Sequence, residues 1–105
     1  MESLKVASLY CFTKLDSVSQ KRDSIFQICK DLDMKGLIIL ANEGINGTIA
    51  GEIKKVDIVI KNIREVMNCD QINLKQSLIE EIPFGRIKVK IKKEIVTFGI
   101  DEMSI

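Results

Sequence analysis

Five consecutive apolar residues, Leu37-Ile38-Ile39-Leu40-Ala41, constrain the fold of this chain more than any other stretch. The run is too short for a helix and is bounded by Gly36 and Asn42, so it reads as a buried central strand. Asn42-Glu43-Gly44 can then turn the chain, and Ile45 to Gly51 returns beside it. Asn46-Gly47 is also a hairpin dipeptide, but a turn there leaves only Thr48 to Gly51 for the return strand. The earlier turn is therefore preferred. A buried hairpin of this kind needs a wider sheet around it and a cover for its apolar side chains.

The flanking segments supply both. Leu4 to Phe12 reads as a strand. Asp16 to Asp33 reads as a helix, with Ser17 and Gln20 spaced for a capping box and Ile25, Phe26, Ile28, Cys29 and Leu32 on one face. Gly36 suits its exit or a turn. The clearest helix spans Glu52 to Asn68, where Ile53, Val56, Ile60, Ile63 and Met67 recur at spacings of three and four. Gln71 to Ile79 is a further strand, and Glu80 to Gly85, with Pro83, is a turn. Arg86 to Lys93 alternates Ile87, Val89 and Ile91 with Lys88, Lys90 and Lys92, the pattern of a half-buried strand with one basic face. Glu94 to Gly99 extends it or forms a last strand. The order βαββαβ plus C-terminal strand predicts an α+β, ferredoxin-like fold: an antiparallel sheet with two helices on one face.

Composition narrows the chemistry. At 105 residues the chain fits one domain. Its 16 basic and 15 acidic residues leave a charge of +1, which excludes a uniformly basic nucleic-acid binder but not a local patch. With no histidine, the Ser-His and Cys-His dyads and histidine metal sites are excluded. No apolar run approaches the ~20 residues of a membrane span, and the N-terminus lacks the pattern of a signal peptide. Cys11, Cys29 and Cys69 form no C-x-x-C pair, and in that setting they read as reduced thiols of a cytoplasmic protein.

Few residues are candidates for function. In Ala41 to Gly51, four polar side chains and three glycines lie between apolar strands; Glu43 and Asn46 suit hydrogen bonding to a base, and the backbone suits an anion. The competing reading is a hairpin whose glycines serve turns and close packing. Arg86, Lys88, Lys90, Lys92 and Lys93 suit phosphate contacts, with Lys75 and Ser77 sharing a face of their own strand. The alternative is an edge strand whose lysines deter aggregation. Tyr10 and Phe12 share a face of the first strand and are assigned to core packing, because the neighbouring strand lacks the aromatic pattern of an RNA-recognition motif. The cysteines are assigned structural roles.

The order of these motifs carries a resemblance. Tyr10-Cys11-Phe12, then Lys35-Gly36-Leu37 leading into Ala41-Asn42-Glu43-Gly44-Ile45-Asn46-Gly47-Thr48-Ile49-Ala50-Gly51, then Lys75-Gln76-Ser77, then Pro83-Phe84-Gly85-Arg86 through Lys92-Lys93-Glu94-Ile95-Val96-Thr97-Phe98-Gly99 resemble the N-terminal domain of the rhodanese-related tRNA uridine hydroxylases. The resemblance covers Tyr10 to about Ile100. It implies an acylphosphatase-like domain at residues 1–100, with 101–105 starting a linker to a rhodanese domain. It also implies an oxygen-dependent tRNA-modifying parent that makes 5-hydroxyuridine at the wobble position. The family's catalytic cysteine lies in the rhodanese half, and none of these three matches its loop. The expectation is a non-catalytic chain with no cofactor of its own, whose partners are tRNA and the rhodanese domain. Glu43, Asn46, Lys75, Arg86, Lys88, Lys90 and Lys92 are the expected substrate contacts. The alternative is a purely structural or dimerising module. Acylphosphatase activity is disfavoured, because Thr13-Lys14-Leu15-Asp16-Ser17 offers neither arginine nor glycine for a phosphate cradle.

Overall fold

The computed structural model describes residues 3–69 and 71–92. Its elements are β1 (Leu4–Phe12), α1 (Val18–Asp31), β2 (Lys35–Ala41), β3 (Gly44–Glu52), α2 (Ile53–Met67), β4 (Asn73–Ile79) and β5 (Lys88–Ile91). The strands form one five-stranded sheet ordered β4-β1-β3-β2-β5. Pairs β1–β3, β1–β4 and β2–β3 are antiparallel, as expected. β2 and β5 run parallel, so the sheet is mixed. The cause is topological: β4 ends at the end of the sheet where β2 begins. The chain crosses to the far edge there and sets off beside β2 in the same direction. The expected strand at Glu94 to Gly99 falls outside the described residues.

The hairpin turns where the apolar run predicts. Ala41 pairs with Gly44, which leaves Asn42 and Glu43 as the turn and puts Asn46-Gly47 inside β3. Two expectations about α1 fail. Ser17 is left-handed (φ 51°) and makes no side-chain cap bond, so no capping box forms with Gln20. A cap residue needs extended backbone to aim its hydroxyl at the helix amides. Gly36 is not the helix exit either: Asp33 takes the left-handed turn (φ 57°), and Gly36 lies within β2.

Period-two alternation sorts the strand residues. Ala7, Leu9 and Cys11 of β1, Ile38 and Leu40 of β2, Ile45 and Ile49 of β3 and Val89 of β5 face the helices. They form a single core with Ile25 and Cys29 of α1 and Val56, Val59, Ile60, Ile63 and Met67 of α2. Both helices therefore cover one face of the sheet, and no described element covers the other.

Cys11 and Cys69 are joined by a disulfide, their Cα atoms 7.2 Å apart. This corrects the expectation of three free thiols; only Cys29 is free, and it is buried. The pairing is hidden in sequence by a separation of 58 residues. The end of β1 and the exit of α2 meet only once the sheet and helices have packed.

Candidate nucleic-acid interface

The sheet face turned away from the helices gathers most of the expected contact residues. Register places Asn73, Tyr10, Asn46, Ile39 and Lys90 in one row across the five strands. The adjacent row is Lys75, Ser8, Thr48, Leu37 and Lys88. In that row the Ser8 and Thr48 hydroxyls lie 3.1 Å apart in a hydrogen bond. Arg86 bridges to Lys35 at the far edge of the same face. Lys92 follows β5 and donates its N–H to the Leu40 carbonyl at 2.8 Å.

Cations thus flank this face at both edges, Lys75 on β4 and Arg86, Lys88 and Lys90 on or beside β5. With strands about 4.8 Å apart, the two edges are separated by roughly 19 Å. No single phosphate spans that distance. On the central strands Ala41, Asn46 and Ala50 are buried outside the cluster packed beneath the helices. Asn46 is only 3% exposed, so it forms the floor of the face rather than a projecting contact. Glu43 sits apart from both rows, exposed in the β2–β3 turn.

Two glycines at the β2–β3 hairpin serve close packing. Gly44 has φ +149°, and a Cβ there would lie 2.1 Å from the Cys11 carbonyl oxygen. Gly36 has φ +133°, and its Cβ would lie 2.1 Å from the Thr48 carbonyl oxygen. Both serve close strand approach, which only a residue without Cβ permits. Two amides of the β1–α1 loop are used within the fold. The Thr13 N–H donates to the Glu43 carbonyl at 3.0 Å and the Leu15 N–H to the Asn42 carbonyl at 2.7 Å.

Tyr10 and Phe12 correct a further expectation. They are not core residues but stand on the open face, Phe12 55% exposed, with their rings edge-to-face and centroids 5.0 Å apart. The signal was present in the alternation: Ala7, Leu9 and Cys11 occupy the other parity of the same strand. Around the rings the surface is indented. One cleft of about 440 Å³ is lined by Tyr10, Phe12, Asn68, Gln71 and Asn73, among others. Another, of about 450 Å³, lies between Phe12 and the β2–β3 turn, lined by Asn42 and Glu43.

Among the described residues there is no cluster of ligating side chains suited to a metal ion. No described helix is long and apolar enough to cross a membrane.

Comparison with known proteins agrees with this architecture. Acylphosphatases from Bacillus subtilis and Coxiella burnetii superpose with TM-scores of 0.61 and 0.59 at 10% and 14% identity. The matches cover 85% and 87% of this chain and 98% and 94% of theirs. At such identity they establish the fold alone. In sequence, the chain is 42% identical over 99 residues to a Caulobacter vibrioides protein described as tRNA uridine(34) hydroxylase. Proteins of the same description from Gluconobacter oxydans and Bartonella quintana are 40% and 39% identical. These alignments cover 93% to 95% of this chain but only 31% to 33% of the relatives, so the chain spans about a third of their length. Residues 4–95 match the UPF0176 acylphosphatase-like domain, and with the topology and the glycine-tight hairpin described above, the chain belongs to that family.

Proposed function

We propose that this chain is the substrate-engaging, non-catalytic part of a tRNA uridine(34) hydroxylase, and that it holds tRNA on the open face of its sheet. The observation that carries the reading is the register itself. It sets Lys75 on one edge and Lys88, Lys90 and Arg86 on the other side of a shared face that no described helix covers. The names of the relatives support tRNA as the polyanion. The partial coverage of those relatives supports a further catalytic region, for which a rhodanese domain is the candidate. In this reading Asn46 acts as a buried polar floor and Glu43 as a turn residue at the margin, while the cations supply the affinity.

The test is tRNA binding across a salt series. Lys88→Glu, Lys90→Glu and Lys92→Glu together should weaken binding and flatten its salt dependence, by a slope of about 0.7 to 1 for each phosphate no longer neutralised. Wild-type-like affinity and slope in the triple variant would refute the basic-face assignment. The alternative, a purely structural module, predicts no measurable tRNA binding by the chain.

A further inference from the structure

We infer that the cleft beside Tyr10 and Phe12 binds an unpaired nucleobase, so that the open face takes RNA with one base turned in rather than a duplex laid flat. This rests on the RNA-binding reading above and adds a recognition element to it.

The cleft exists because the two neighbours of β1 end at different places. Pairing with β4 stops at Tyr10–Asn73, whereas pairing with β3 continues to Phe12–Gly44. Beyond Tyr10, β1 therefore has no strand on its β4 side. Asn68 and Cys69, at the exit of α2, lie there instead, with Cys69 tied to Cys11 of β1. Asn68 is fixed at the helix end in a left-handed conformation, its N–H donated to the Glu65 carbonyl at 3.2 Å. In the wall of the cleft, Cys69 is held by a covalent bond and Asn68 by the helix cap.

Its lining suits a base. Two aromatic rings offer stacking surface, and Asn68, Gln71 and Asn73 offer amides, each with a donor pair and an acceptor. That is the chemistry by which proteins read splayed-out bases of single-stranded RNA. Among the described residues, no charged side chain lines the cleft. The phosphate partner lies just outside. Lys75 is two residues along β4 from Asn73 on the same face, about 7 Å away. The cleft volume of about 440 Å³ is within the usual range for small-ligand sites.

The chain contains one tyrosine and no tryptophan, so its intrinsic fluorescence reports on Tyr10 alone. Titrating the 105-residue chain with a short oligouridylate should quench that emission. An abasic ribose-phosphate oligomer of equal length should leave it unchanged while still binding in a salt-dependent way. Phe12→Ala, at an exposed ring, and Asn73→Ala should each lower oligouridylate affinity by about five- to a hundredfold, with the salt slope unaltered. Equal quenching by the abasic oligomer, or binding without quenching, overturns the cleft but leaves the lysine face standing. Failure of both oligomers to bind overturns the cleft and the RNA reading together.

Discussion

Gly44 shows how a single missing atom fixes the hairpin. Its φ of +149° and the 2.1 Å approach of the Cys11 carbonyl oxygen to a built Cβ leave no room for alanine. Gly44→Ala should cost about 1–3 kcal/mol, read as a lower urea midpoint. An unchanged midpoint would mean that β1 and β3 can separate at that pair. Cys29 makes a different residue-level prediction. Burial pushes its thiol from 9.0 up to about 12. The unfolded chain loses that proton from about pH 9, whereas the folded chain retains it. Stability is therefore undiminished below pH 9 and declines as pH climbs from 9 toward 12, by at most roughly 1.4 kcal/mol per unit. Comparing urea midpoints at about pH 8 and about pH 10, Cys29→Ala should show a smaller alkaline loss than wild type. The native thiol should also resist alkylation until the chain unfolds.

Between elements, the decisive links are side-chain ties that the local sequence does not announce. The Cys11–Cys69 bond joins the end of β1 to the exit of α2 across 58 residues. Closing so long a loop should stabilise the fold by about 2–4 kcal/mol. Adding reductant should lower the urea midpoint of wild type and have no effect on Cys11→Ser. A midpoint insensitive to reductant in both would show that the two thiols stand apart in solution. At the β5 edge of the sheet, Arg22 of α1 donates to the Val89 carbonyl at 2.9 Å and lies over the Phe26 ring. This hydrogen bond occupies an acceptor on an edge strand, which reduces the scope for sheet extension there.

At the scale of the whole molecule, a ligand either crosses the face or follows one edge. Lys75 and Lys88 occupy the two ends of one row, about 19 Å apart by strand spacing. Sites so distant act independently, so the binding losses of Lys75→Ala and Lys88→Ala should add to within about 0.5 kcal/mol. A loss confined to one variant would place the RNA along that edge alone. Additive losses would require a strand that spans the sheet, passing the aromatic cleft on the way.

Whatever depends on near neighbours along the chain was legible in the residues themselves. The apolar run Leu37–Ala41, the turn at Asn42-Glu43, the helical stripe of α2 and the alternation around Lys88 and Lys90 could all be read, because periodicity states which side chains must be buried together. The same alternation also held the opposite parities of Leu9 and Tyr10, although it did not say which parity the helices would cover. Ser17 and Gly36 misled because their local signals, a cap and a helix exit, were overridden by the path the chain takes into the sheet. Adjacency across strands, by contrast, emerged only with the packed molecule. Packing placed β5 parallel to β2, brought Cys11 to Cys69 and left Phe12 exposed. It also set Lys75 and Lys88 at opposite ends of one row. Those relations follow from strand order and register, which are set by packing of the whole core and are not encoded in any single segment.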